Sequence, residues 1–308
     1  MNSDIVISVL LTAYNCEKFL EDTLESLKQA CSGVQELIEI ILVNDGSTDK
    51  TNSILQRFSE TDPRAKLFNV SFHNIGQVRN YGVNQCNGQY ITMLDGDDQL
   101  IQGSFIDIVN CLQNYQPDLL LAPLNEVYSH KMQPLSWNGL KTKRLTQHQT
   151  IEKFLIHREL QAHFIGQFIK RDLLASNYFP EFICYEDAWL FPCILKASKN
   201  ILFASQSPYL YFKRGHSLSN SLDIEKISLL IKATKNMDEV LGEEYRNLLT
   251  CHWINIAHKF GAILNLEQKH DIVFPAIEKA SFLSLMFDSK VRASFKKKYV
   301  QFKIKGHH

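Results

Sequence analysis

The 308-residue chain has no Cys-x-x-Cys pair, no glycine-rich turn after its first hydrophobic run, no G-x-x-x-x-G-K-[ST] loop and no run as long as a membrane span. Each absence removes a class of protein. Its seven cysteines, Cys16, Cys31, Cys86, Cys111, Cys184, Cys193 and Cys251, follow no regular spacing, which argues against a zinc site and a disulfide framework. The apolar runs Ile5 to Leu11 and Leu119 to Pro123 fall far short of the roughly 20 residues a membrane helix needs. The N-terminus also lacks a basic-then-apolar leader, so the expectation is a cytoplasmic chain. Net charge is missing as well: 33 Lys+Arg against 33 Asp+Glu leave no basic excess for nucleic acid. That balance hides one asymmetry, because residues 290–308 carry seven Lys or Arg and no acid.

What is present is a core-forming composition, 45% hydrophobic and 21% charged, with an alternating pattern in its first half. Ile5 to Thr12, Glu39 to Val43, Lys66 to Phe72, Tyr90 to Leu94 and Asp118 to Ala122 have the length and β-branched character of strands. Between them, Phe19, Leu20, Leu24 and Leu27 recur at helical spacing after a potential cap at Asn15, and Asp49 is placed to cap a helix containing Ile54, Leu55 and Phe58. Helices are also expected over Gln77 to Cys86 and Ser104 to Tyr115. Strand and helix in alternation imply right-handed crossovers and a mostly parallel sheet covered on both faces. Ligands of such a sheet meet the carboxyl ends of its strands. The loops there begin at Thr12-Ala-Tyr-Asn15, Asn44-Asp-Gly-Ser47, His73-Asn74 and Asp95-Gly-Asp-Asp98. The last is the most informative. A buried strand cannot keep Asp95, Asp97 and Asp98 in its core, so the acids must emerge where a metal-bound nucleotide could meet them. Hard oxygen donors suit Mg²⁺ or Mn²⁺.

Four segments in order then resemble the family 2 glycosyltransferases: Ser8-Val-Leu-Leu-Thr-Ala-Tyr-Asn15, Val43-Asn-Asp-Gly-Ser-Thr-Asp49, Asn74-Ile-Gly-Gln-Val-Arg-Asn80 and Leu94-Asp-Gly-Asp-Asp98. The resemblance implies a GT-A fold, Rossmann-like, with a catalytic domain over residues 1–220. Its nucleotide half covers about 1–125 and its acceptor half about 126–220. It implies transfer of a sugar from a nucleotide diphosphate, most readily a UDP-sugar, to a hydroxyl of a glycan or lipid-linked acceptor, with inversion, in bacterial surface polysaccharide or lipooligosaccharide synthesis. Thr12, Ala13, Tyr14 and Asn15 would line the base and ribose pocket, Asp45 would accept from the base, and Arg79 would approach the diphosphate or the base loop. Asp95 would lie near the ribose, Asp97 would ligate the metal, and Asp98 would reach the donor sugar or acceptor. The loop from Asn74 to Arg79 is shorter than the family's pattern.

The resemblance extends over residues 163–199, where Glu186-Asp187 matches a carboxylate pair at a helix start. It assigns Asp187 as the base that takes the acceptor's proton, with Glu186 in support. Lys213, Arg214, His216 and Ser217, in Tyr211-Phe-Lys-Arg-Gly-His-Ser-Leu-Ser219, match a loop that closes over the diphosphate, with His216 a third metal ligand or phosphate donor. From residue 221 to 308 the pattern turns helical, with Ile224, Ile227, Leu230 and Ile231 on one face and Leu248, Trp253, Ile256, Phe260 and Leu264 on another. These helices are expected to pack on the catalytic domain or to join copies of the chain. The basic tail, interleaved with Phe295, Tyr299, Val300, Phe302 and Ile304, suits an anionic membrane surface. A sugar nucleotidyltransferase and a silent glycan-binding scaffold are the rival readings.

Overall fold

A computed structural model describes residues 5–128, 136–213, 224–264 and 267–305. The first half follows the expected alternation: β1 (Ile7–Ala13), α1 (Leu20–Ala30), β2 (Ile38–Asp45), α2 (Thr51–Thr61), β3 (Ala65–Val70), α3 (Ile75–Gln85) and β4 (Tyr90–Asp95). Every residue of β1 and β2 is buried, as continuous apolar runs in parallel strands covered on both faces should be. Next come β5 (Gln99–Leu100), α4 (Ser104–Tyr115), β6 (Leu119–Leu121), β7 (Asn125–Val127), β8 (Thr142–Leu145), α5 (Gln147–Ile156), β9 (Phe168–Lys170), α6 (Arg171–Ala175), α7 (Glu186–Ala197), β10 (Ile201–Ala204) and β11 (Tyr209–Phe212). The main sheet has the order β3-β2-β1-β4-β9-β6-β10-β8. It is parallel except for β9, which runs antiparallel between β4 and β6, and β8 at the far edge. A small second sheet, β5-β11-β7, stands beside it.

Register brings the polar loops level. Thr12 of β1 pairs with Val43 on one side and Asp95 on the other, so the ends of β1, β2 and β4 finish together. One local expectation is corrected here. Asn15 does not cap α1; it takes the left-handed conformation (φ 47°), which asparagine tolerates, and its Oδ1 accepts the Thr48 N–H (2.8 Å). The first two nucleotide-side loops are thereby tied together, and α1 starts later, at Leu20. Asp49 stands one residue before the first position flanking α2, Lys50, and its Oδ1 accepts the N–H of the first helical residue, Thr51 (2.9 Å).

The Asn74 to Asn80 segment sets the geometry of the acceptor side. Asn74 caps α3 through Gln77 N (3.1 Å), and Asn80 exchanges two hydrogen bonds, both 2.9 Å, with the backbone of Phe179. Between them, Gly76 lets the helix meet the Phe179-Pro180 turn: a Cβ there would stand 1.9 Å from the Pro180 carbonyl oxygen. Gly76→Ala is expected to cost about 1–3 kcal/mol, the usual range for overpacking, because a backbone carbonyl must move. A melting temperature equal to that of the parent would show that the turn yields freely.

The C-terminal helices are α8 (Ile224–Leu241), α9 (Arg246–Phe260), α10 (Phe274–Glu278), α11 (Phe282–Phe287) and α12 (Ala293–Lys305), with a π-helical stretch at Gln268–Val273. They share one hydrophobic core with the sheet domain, and α8 lies along α7. Leu248, Trp253, Ile256, Phe260 and Leu264 are all buried. The tail departs from its expected form. Tyr299 is fully buried with its hydroxyl donating to the Ala280 carbonyl (2.7 Å), and Phe302 packs edge-on against Phe274. Of the aromatics read as membrane-facing, Tyr299 is therefore a core residue and Phe295 and Phe302 pack, partly buried, against the core, because α12 has a layer of helices to cover. No helix among the described residues is long and apolar enough to cross a membrane.

Candidate active site

Three strand ends and one helix start define the site. At the end of β1, Thr12 and Ala13 are buried while Tyr14 stands exposed, its ring edge-on to His73 (5.9 Å between centroids). At the end of β2, Asp45 is buried and its Oδ1 accepts the N–H groups of Phe72 (2.6 Å) and His73 (3.0 Å). These bonds fix the floor of a crevice between the two loops.

At the end of β4, the three acids divide. The Asp95 side chain is partly exposed and accepts from Thr12 Oγ1 at 3.4 Å. Asp97 is half-buried on the turn. Asp98 is turned the other way: it is buried, with Oδ2 accepting from Tyr209 Oη (2.8 Å) and Oδ1 from Phe212 N (2.8 Å). The expectation that Asp98 reaches the donor sugar or acceptor is corrected. β5 pairs with β11 immediately after the turn, and that pairing carries Asp98 inward. Burial, then the charges of Asp95 and Asp97, push the Asp98 carboxyl up to about 8. Tyr209, which no sequence pattern singles out, clamps both ends of the turn, since its hydroxyl oxygen also accepts the Asp95 N–H (3.2 Å).

At the start of α7, the Glu186-Asp187 pair meets Arg79 of α3. Arg79 is buried; its Nη1 donates to Glu186 Oε1 (2.7 Å) and to Asp187 Oδ1, and its Nη2 lies 3.7 Å from Asp95 Oδ1. Its guanidinium also lies over the Phe179 ring (5.6 Å). Arg79 was expected at the diphosphate or base loop; its bonds are instead to the acceptor-side carboxylates, with Asp95 the one group it meets on the nucleotide side. One cation thus faces three acids. Burial works against the charge of Arg79, but Asp187, Glu186 and Asp95 more than offset it and raise its pKa. Burial raises the carboxyls of Glu186 and Asp187 against the pull of Arg79, with the charge of Asp95 adding at both and that of Glu186 at Asp187. Tyr185, just before the pair, takes a left-handed φ of 64°, an uncommon conformation for a bulky residue and one that clusters at functional sites.

Lys213, at the exit of β11, is paired with Glu126 (3.1 Å) and lies over Tyr211. Arg214, His216 and Ser217 lie outside the described residues. Trp253 is core, its Nε1 donating to Asp238 (3.0 Å), and Trp137 donates to Asp107 (2.8 Å). Among the described residues no three His, Cys, Asp or Glu side chains come close enough to cage a metal. Asp95 and Asp97 offer hard oxygens at the rim, a set that fits Mg²⁺ or Mn²⁺ taking its remaining ligands from phosphate and water.

This arrangement of sheet, crossed β9 and strand-end carboxylates is the GT-A architecture. S. aureus TarS (residues 1–349, in complex with UDP-GlcNAc) superposes with a TM-score of 0.67 at 20% identity, over 94% of this chain and 83% of that one. The profile described as "Glycosyl transferase family 2" matches residues 8–167, and the chain belongs to that family. Among relatives, the minor teichoic acid biosynthesis protein GgaB of Bacillus subtilis is 27% identical over 288 residues, which span 91% of this chain and 31% of GgaB. The glycosyltransferase MG060 homolog of Mycoplasma pneumoniae is 28% identical over 77% of this chain and 79% of its own length.

Proposed function

We propose that the protein transfers a sugar from a UDP-sugar to a hydroxyl of a glycan or lipid-linked acceptor in bacterial surface polysaccharide synthesis, with inversion at the anomeric carbon. The observation that carries this reading is the convergence on Arg79 of Asp95, from the nucleotide side, and Glu186-Asp187, from the acceptor side. Nucleotide and acceptor chemistry then meet within one side chain's reach. The TarS complex with UDP-GlcNAc favours a uridine nucleotide, and the name of GgaB favours a wall-polymer acceptor.

In the proposed reaction, an acceptor hydroxyl seated at the start of α7 gives its proton to the Asp187 carboxylate as its oxygen bonds to the anomeric carbon. The bond from that carbon to the diphosphate oxygen breaks with its electron pair, and a nucleoside diphosphate leaves. Asp97, with Asp95, would hold a divalent cation that offsets the charge of the leaving diphosphate. Thr12, Tyr14 and Asp45 would hold the nucleoside, and Arg79 keeps Asp187 aimed. We also read the protein as cytoplasmic and peripheral to an anionic membrane.

Thermal-shift measurements with UDP-, GDP-, dTDP- and CMP-sugars, each with Mn²⁺ and with chelator, test the donor half of this reading. Stabilisation is expected from one uridine nucleotide class and only with the metal. Asp97→Ala should remove that shift, read against the variant's own unliganded melting temperature. A shift that persists in Asp97→Ala, or in chelator, would sink the metal assignment.

A further inference from the structure

Among the described residues of the C-terminal region, exposed large apolar side chains occur singly at Ile224 and Ile263, cluster on α11 and recur at the end of α12. On α11, Phe282, Leu283 and Phe287 are 47%, 65% and 84% exposed, and Leu285 is the one residue of the helix that is buried. On α12, Ile304 is 78% exposed. Such side chains concentrated on a helix of six residues form a ridge rather than scattered surface leucines, and ridges of this kind mark interaction sites.

One cation of α12 is linked to this ridge. The Phe282 ring stacks on Tyr299 (6.1 Å), and Lys303 Nζ lies 5.6 Å from the same tyrosine ring, so α11 and the basic helix are joined through one aromatic. Arg292 and Lys298 lie over Phe295 at 4.8 and 5.6 Å. The cationic heads themselves rest against these rings, and Arg292, Lys297 and Lys303 are exposed. Asp288, the acid between the two helices, is engaged by Asn247 Nδ2 (3.0 Å).

We propose that the α11 ridge and the lysines of α12 form a docking surface for the anionic face of a lipid bilayer, with Leu283 and Phe287 entering the acyl boundary and Lys297, Lys303 and Arg292 meeting headgroup phosphates. The proposal rests on the peripheral reading above and gives it a surface. Charge chooses the occupant: seven cations with no acid in residues 290–308 repel a second copy laid on the same patch. Exposed aliphatic and phenyl groups add nothing to recognition of a soluble polyanion, whereas an interface of acyl chains and phosphates uses both kinds of side chain.

The experiment is co-sedimentation of the full chain with phosphatidylcholine vesicles, alone or containing phosphatidylglycerol, at low and high salt. Binding to the anionic vesicles alone is expected, weakened about 10-fold or more by high salt, by Leu283→Ser with Phe287→Ser, and by Lys297→Glu with Lys303→Glu. All four substituted side chains are on the surface, so melting temperatures should match the parent. Equal binding to neutral vesicles, or full retention by the Leu283→Ser/Phe287→Ser variant, overturns the proposal. So does a dimer, seen by light scattering, that this variant converts to monomer. The donor thermal shift recorded on the same samples separates the two readings. A parent chain that fails to bind anionic vesicles but keeps its donor shift rejects the docking surface alone, and a parent chain without a donor shift rejects the transferase reading.

Discussion

Replacing Asp187 by Asn is expected to lower sugar transfer by about 10²–10⁴-fold, the usual contribution of a positioned base. The substitution keeps the shape of the side chain and its contact with Arg79 but removes the group that takes the proton. Donor binding, which depends on the other side of the crevice, should be nearly intact in the thermal-shift assay. A parallel loss of donor affinity and transfer would contradict the division of roles between Asp97 and Asp187. The parent enzyme should carry a second signature. Because burial and the neighbouring acids raise the Asp187 carboxyl, part of it stays protonated and inactive at pH values where an ordinary aspartate is fully ionised. Transfer should therefore climb with pH through the neutral range, and a rate already flat across that range would exclude Asp187 as the base.

Arg79→Met is expected to be the most destabilising single change in the crevice, costing about 3–5 kcal/mol, because it strips the cation from a buried ion pair. Glu186, Asp187 and Asp95 would then face one another without compensation. The sign of the pH effect follows. Carboxyls whose folded pKa is raised above the unfolded value contribute stability that is fully present below the unfolded pKa and is lost as pH rises. Removal of Arg79 raises Glu186 and Asp187 further, so the deficit against the parent should be smallest in acid and grow toward alkaline pH. Denaturant unfolding at several pH values would measure it, and a deficit independent of pH would mean that Arg79 acts through packing against Phe179 alone.

The nucleotide half was legible in the sequence because its parallel strands are buried on both faces. Apolar runs ending in polar loops leave few other folds, and β1, β2, β4 and α4 fall within a residue or two of their expected limits. The acids after β4 were legible as a group but not individually. Asp97 and Asp98 are neighbours in the chain, and only the pairing of β5 with β11 decides that Asp98 turns inward. The pairing of Arg79 was hidden for a different reason: its partner Glu186 lies 107 positions away, and no local pattern records a pairing at that distance. The aromatics of the tail were misplaced through ambiguity of facing. Alternating lysines and aromatics describe a two-sided helix, but not which side meets the protein, and the aromatic side turned out to be the inner one.

The sharing of Arg79 also constrains how this crevice can diverge among descendants. Since one guanidinium serves Glu186, Asp187 and Asp95, a charge change at any of the four positions alters the protonation of the others. Lineages should therefore traverse this part of sequence space in correlated steps, losing the arginine together with an acid, while exposed residues outside this network drift independently.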